Sequence, residues 1–164
     1  MTTRMIVCLD GCGPDSLAAA ETPNLDALAR GGYHTIGEAV VPTVTNVNNA
    51  SIITASFPET HGITTNYLLD PQSGEACYME SADYLWARTA FRHLADRGQM
   101  ACLLTAKDKL KTLIRDGAAI AESAEKPSAW LTERLGPAPG IYTIEVNHWP
   151  VSYTHLTLPT NREV

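Results

Sequence analysis

Thr45 opens the stretch with the clearest chemical potential. It follows Pro42-Thr43-Val44 and leads into Asn46-Val47-Asn48-Asn49, where a segment of β character gives way to a helix. A hydroxyl at a helix start can be a simple N-cap. The same place suits a nucleophile for phosphoryl transfer, because the first N–H groups of the helix face an incoming anion and the helix dipole favours negative charge. A nearby metal ion can hold such a hydroxyl as its alkoxide. Asp10 ends the apolar run Met5-Ile6-Val7-Cys8-Leu9 and precedes Gly11-Cys12-Gly13-Pro14-Asp15. A carboxylate there can point into a cleft and bind a hard or borderline cation. Taken alone, it reads more readily as a turn or cap residue. Asn66, in His61-Gly62-Ile63-Thr64-Thr65-Asn66-Tyr67, can donate its amide to a non-bridging phosphoryl oxygen, or merely form a turn. Lys107 and Lys109 flank Asp108 in Thr105-Ala106-Lys107-Asp108-Lys109-Leu110. Cations at a helix N-terminus oppose its dipole, a cost that an anionic ligand offsets; the alternative is a solvated first turn. His61, beside a glycine and among small residues, reads as structural rather than as a ligand.

These residues need a scaffold that brings them to one side. Met5–Leu9 reads as a buried parallel strand followed by a turn. Thr22–Gly31 reads as a helix, with Thr22 as N-cap, Pro23 in the first turn and Gly31-Gly32 as the stop. Thr35–Val41 has β character, and Asn46–Ser56 reads as a short helix that closes before Pro58 and the His61-Gly62 pair. Asn66–Gly74 carries turn chemistry at Asp70-Pro71 and Ser73-Gly74, as a loop or hairpin. Helices are expected over Arg88–Arg97, Asp108–Ile114 and Ser128–Leu135, and strands over Met100–Leu104 and Ile141–Val146. Strands alternating with helices imply an α/β fold with a mostly parallel sheet and flanking helices. Ligands in such sheets bind beyond the carboxyl ends of the strands, where Asp10, Thr45 and Lys107 all fall.

Composition narrows the partners. The 164 residues carry a formal net charge of −6, with no broad basic field for nucleic acid. No apolar run approaches the roughly 18–20 residues of a membrane span, and the first residues have no signal-peptide layout. Cys8, Cys12, Cys77 and Cys102 do not make a zinc-ribbon spacing and read as free thiols, which points to the cytoplasm. Nothing in the sequence speaks to oligomeric state.

Several motifs then recur in one order. Val7-Cys8-Leu9-Asp10-Gly11, Thr22-Pro23-Asn24-Leu25, Pro42-Thr43-Val44-Thr45-Asn46, Asn48-Asn49-Ala50-Ser51-Ile52-Ile53-Thr54 and His61-Gly62-Ile63 together resemble the N-terminal half of the alkaline phosphatase superfamily. The nearest branches are nucleotide pyrophosphatase/phosphodiesterases and phosphonoacetate hydrolases. Thr45-Asn46-Val47-Asn48-Asn49, Asn66-Tyr67 with Asp70-Pro71, and Thr105–Leu110 resemble phosphonoacetate hydrolase most closely. The resemblance implies hydrolysis of the carbon–phosphorus bond of phosphonoacetate, to acetate and phosphate, with two zinc ions. It would make Asp10 a zinc ligand and Thr45 both the nucleophile and a zinc contact. Asn66 would bind the phosphoryl oxygens, and Lys107 and Lys109 would hold the anionic groups of a small phosphonate, its carboxylate included.

The resemblance also implies further aspartate and histidine ligands, and no stretch of this sequence matches them. Residues 1–150 are therefore expected to be the N-terminal part of an incomplete hydrolase domain. Val151–Val164, VSYTHLTLPTNREV, has no helical or strand period and resembles a translated adapter, a non-native tail. His148 and His155 lie in or beside it and receive no role. Such a piece should bind zinc poorly, fail to turn over and leave sheet edges open. Two other readings share parts of the pattern: a nucleotide pyrophosphatase or phosphodiesterase without need of both lysines, and a non-catalytic α/β module that binds anions.

Overall fold

The computed structural model describes residues 3–70 and 72–136, with the backbone alone of Ile141–Thr143 and Thr154–Leu156. The chain divides into two compact units, Met1–Ala39 and Val40–Val164. Its elements are those of a mixed α/β protein.

The first unit holds two helices, α1 (Pro14–Ala19) and α2 (Pro23–Gly31). Both begin with proline, whose missing N–H and fixed φ suit a first turn. Helix α2 lies where its capping pattern predicts. Thr22 takes the N-cap position, but its hydroxyl donates to the Asp26 carboxylate at 3.1 Å instead of accepting from a helix N–H. Helix α1 lies in a stretch that reads only as turn. The expected buried strand at residues 5–9 is not formed, and residues 35–39 also have no ladder. Met5, Ile6, Val7 and Leu9 all stand mostly exposed. An apolar run says that its faces want cover, but a strand also needs a neighbour to complete its hydrogen bonds, and no described residue supplies one.

The second unit is built around α3 (Thr45–Thr54). Its apolar positions Val47, Ala50 and Ile53 join Leu110, Leu113 and Ile114 in the core, together with Ile63 and Met79. Ala55, in the left-handed region at φ 49°, ends α3, and the single turn α4 (Pro58–His61) follows. Strands β1 (Tyr67–Leu69) and β2 (Ala76–Tyr78) then form an antiparallel hairpin. Asp70 organises its turn. The carboxylate accepts from Gln72 N and Ser73 Oγ, each at 2.9 Å, and the Asp70 carbonyl accepts from Gly74 N at 2.8 Å. The 3-10 turn Ala82–Tyr84 leads to α5 (Ala90–Ala95), capped by the Thr89 hydroxyl.

Among the described residues, the parallel part of the fold is one βαβ unit. Strand β3 (Cys102–Thr105) runs through α6 (Asp108–Ile114) to β4 (Ile120–Ser123), with Cys102 opposite Ile120 and Thr105 opposite Ser123. Helix α6 fills its predicted bounds. Helix α7 (Ala129–Leu135) is capped by Ser128, whose hydroxyl accepts from Leu131 N at 3.2 Å. Strand β5 (Ile141–Thr143) pairs antiparallel with β6 (Thr154–Leu156), which lies inside the tail read as having no strand period. The remainder of that tail, with residues 144–150 and thus His148, is outside the described residues. No helix of the described residues is long and apolar enough to cross a membrane.

Candidate active site

Thr45 is the first helical residue of α3, so the cap position belongs to Val44, which is extended at φ −98° and ψ 153°. The asparagines that follow set this junction. Asn48 folds back across it: Oδ1 accepts from Val40 N at 2.9 Å, while Nδ2 donates to Val40 O at 3.2 Å and Val44 O at 3.3 Å. Asn49 Nδ2 donates to the Thr45 carbonyl at 2.9 Å. One side chain thus satisfies both polar groups of the Val40 backbone and clamps the entry to the helix. The threonine is half-buried.

Asn46, 3% exposed, points the other way and donates Nδ2 to the Met79 carbonyl at 3.2 Å. Met79 N donates to the Asn66 carbonyl at 2.8 Å. The Met79 residue, just past β2, therefore joins the start of α3 to Asn66, just before β1. Asn66 Oδ1 is buried without a hydrogen-bond partner. A buried amide end costs free energy while unsatisfied, and a half-turn of χ2 presents either oxygen or NH2 there. The site thus has unused hydrogen-bonding capacity at the residue read as a phosphoryl contact.

The same hairpin end holds Lys109. Its ammonium lies 4.2 Å from the centroid of the Tyr78 ring and 3.8 Å from Glu80 Oε2. Lys107 is the N-cap residue of α6; its N–H donates to Thr105 Oγ1 at 3.1 Å, and its carbonyl accepts from Lys111 N at 3.2 Å. Asp108, between the two lysines, is structural. Its carboxylate accepts from Ser123 Oγ at 2.9 Å and pairs with Lys111 at 2.5 Å and Lys126 at 3.5 Å. The Lys111 hydrogen bond, aided by Ser123, holds its carboxyl below the usual range. A groove of about 390 Å³ runs past Lys109, with Glu80, Asp108, Glu125 and Lys126 also in its wall. Carboxylates outnumber ammonium groups among these, so the groove itself is no anion trap.

His61 is fully buried. Nδ1 accepts from Ile63 N at 3.1 Å, so Nε2 carries the proton and donates to Ser51 Oγ at 2.9 Å. Ser51 passes its own hydrogen to the Val47 carbonyl at 2.9 Å. Burial pushes the imidazole below its ordinary range, and it stays neutral. This histidine ties α4 to α3 and has no lone pair left for a metal.

Asp10 belongs to the first unit, in the turn that closes with Cys12 N donating to Leu9 O at 3.3 Å. Among the described residues, no three His, Cys, Asp or Glu side chains gather closely enough to hold a metal ion. Zinc takes about four ligands. The described donors of this chain therefore do not make a closed zinc site.

Residues 5–129 match the family model for type I phosphodiesterase/nucleotide pyrophosphatase. The chain belongs to that family. Its fold is similar to that of an alkaline phosphatase-like enzyme, the phosphonoacetate hydrolase of Sinorhizobium meliloti 1021. Against the structure of that enzyme with phosphonoacetate, the TM-score is 0.68 at 38% identity, over 73% of this chain and 31% of the enzyme chain. Against its complex with phosphonoformate, the TM-score is 0.68 at 35% identity, over 80% and 33%. An uncharacterized pyrophosphatase/phosphodiesterase of Schizosaccharomyces pombe is 36% identical over 75 residues, 45% of this chain and 16% of that protein. This family member thus spans about a third or less of the length of these relatives. Sequence reasoning had assigned no role to Asn46, Asn48, Tyr78 or Glu80. The asparagines lie within the motifs Pro42–Asn46 and Asn48–Thr54, whereas nothing local marks Tyr78 or Glu80.

Proposed function

We propose that this chain is part of a zinc-dependent hydrolase that cleaves the carbon–phosphorus bond of phosphonoacetate. What carries the reading is the base of the hairpin. There Met79 links the Asn46 side chain to the Asn66 backbone, and the next ring along, Tyr78, faces Lys109. That linkage supports reading Asn66 and Lys109 as one site with Thr45, the neighbour of Asn46. In this reading the Thr45 oxygen, its proton given up to water, attacks phosphorus and the P–C bond breaks. The bonding pair leaves on the acetate carbon, which takes a proton from water. A second water then hydrolyses the phosphothreonine. The Asn66 amide would bear on the equatorial oxygens. Lys107 and Lys109 would offset the carboxylate charge as carbanion character grows. Asp10 and Thr45 would be the metal-binding oxygens that this chain contributes, with the other ligands supplied from beyond its described residues. The free thiols of Cys8, Cys12, Cys77 and Cys102 favour a reducing, cytoplasmic setting.

The family match itself favours a second reading, a nucleotide pyrophosphatase or phosphodiesterase sharing Asp10, Thr45 and Asn66. Zinc-dependent release of phosphate from phosphonoacetate, by a full-length protein carrying this chain, tests the first reading. Thr45→Ala is the control. Phosphodiester cleavage without phosphonoacetate turnover would favour the second. Replacing both Lys107 and Lys109 with alanine should depress phosphonoacetate turnover while sparing diesters; equal turnover of phosphonoacetate before and after would defeat the lysine argument.

A further inference from the structure

We infer that Tyr78 is a specificity-determining positioning residue: its ring face, with Glu80 as an exchangeable counter-ion, holds Lys109 ready for the carboxylate of a small phosphonate. The inference rests on the reading above that Lys109 takes the substrate's carboxylate. The ring face attracts the ammonium at 4.2 Å without consuming any of its three N–H donors in a directional bond. Glu80 stands 3.8 Å away, outside normal hydrogen-bond reach, and both partners are about half exposed. Such a pair is weak and easily displaced. An incoming carboxylate that reaches hydrogen-bond distance replaces Glu80 at little cost, while the ring keeps the ammonium in place.

Tyr78 is itself fixed. It is the cross-strand partner of Tyr67, and the two rings meet edge to face at 4.9 Å. Tyr67 follows Asn66 directly, and Met79, which follows Tyr78, donates to the Asn66 carbonyl at 2.8 Å. The end of the hairpin therefore holds the backbone of Asn66 and, through the Tyr78 ring, the Lys109 ammonium. A ligand with a phosphoryl group at one end and a carboxylate at the other is the chemistry that uses both at once. A carboxylate-free diester uses only the first.

The test is steady-state kinetics of a full-length protein carrying this chain, on phosphonoacetate and on bis(4-nitrophenyl) phosphate. Tyr78→Leu should lower kcat/KM for phosphonoacetate by about 2- to 5-fold, and leave the diester unaffected. Tyr78→Phe, which keeps the ring face, should match the parent. Glu80→Gln should lower KM for phosphonoacetate by about 2-fold. The inference is overturned if the leucine variant weakens both substrates alike, if phenylalanine behaves as leucine, or if Glu80→Gln leaves KM unchanged. A parent protein that cleaves the diester but not phosphonoacetate sinks the proposed function, and this inference with it. A parent active on phosphonoacetate, with Tyr78→Leu unchanged, sinks this inference alone.

Discussion

At the scale of single residues, side chains that hold backbone govern where Thr45 stands. Asn48 is the clearest. Truncating it would orphan Val40 N and Val40 O together and release Val44 O. Asn48→Ala should therefore cost about 1–3 kcal/mol, read as a lower denaturant midpoint with an unchanged m-value. His61 makes a different prediction. Its pKa in the folded chain lies below that of an unfolded histidine, near 6.5, because burial disfavours the charged ring. The unfolded state thus binds the extra proton first. Stability from this group is complete above about pH 6.5 and is lost as pH falls below it. Melting temperature should drop between about pH 7 and pH 5, and His61→Gln should flatten that slope. Asp108 and Asp116, both held below the usual carboxyl range by their cationic neighbours Lys111 and Arg92, contribute stability that fades only at still lower pH. The structural reading of His61 was available from its glycine and small neighbours. Its partner Ser51, ten positions away on α3, was not, because only the packing of α4 on α3 brings the two together.

At the scale of elements, legibility followed how local the cause was. Helix α6 was plain because Leu110, Leu113 and Ile114 repeat at helical spacing and all are buried. The hairpin was half plain, because Asp70, Ser73 and Gly74 announce a turn whose bonds they make themselves. Strand β4 was not, since Ile120-Ala121-Glu122-Ser123 has only one strong strand former and becomes a strand because β3 lies beside it. Residues 5–9 failed in the opposite sense: their composition is that of a strand, but no described neighbour pairs with them. The connection from α4 to the hairpin offers a sharp test. Gly62 sits at φ +83°, and an added Cβ would lie 2.7 Å from the Trp86 ring. The same Cβ would lie 3.0 Å from the Tyr84 carbonyl oxygen, a backbone atom that cannot swing aside. Gly62→Ala should destabilise by about 1–3 kcal/mol, measured by chemical denaturation, from the left-handed backbone and the clash together. If a small residue is needed there only for turn formation, Gly62→Asn, which tolerates the left-handed region, would be nearly as stable as the parent; a loss as large as alanine's would point to the Trp86 contact instead.

At the scale of the whole molecule, the question is what the chain can do with the ligands it has. On the proposed reading this chain carries a nucleophile, a phosphoryl contact and a lysine pair, yet the described donors make no metal cluster. We propose that the remaining ligands lie in sequence beyond this chain, which spans 31% and 33% of the solved enzyme chains it resembles. Zinc affinity depends on assembling about four ligands in one geometry, so two oxygen donors alone hold the ion weakly. The 164-residue chain should bind zinc at least about 100-fold more weakly than a full-length protein carrying it, by competition with a chelating dye, and should release no phosphate from phosphonoacetate. The exposed apolar segments add an independent sign. Within the second unit, Met100 and Leu104 stand open to solvent, and exposed apolar side chains of this kind are ones that another segment can cover. An extended protein should therefore also bind less of an apolar dye per mole than the 164-residue chain does. Reading the source DNA past codon 150 separates the possibilities directly. A continuing frame with clustered aspartates and histidines supports the longer enzyme and assigns the tail at 151–164 to a non-native end. Tight zinc binding and phosphate release by the chain as it stands would overturn the proposal, and would require Thr45 to be activated by ligands outside the described residues of this same polypeptide.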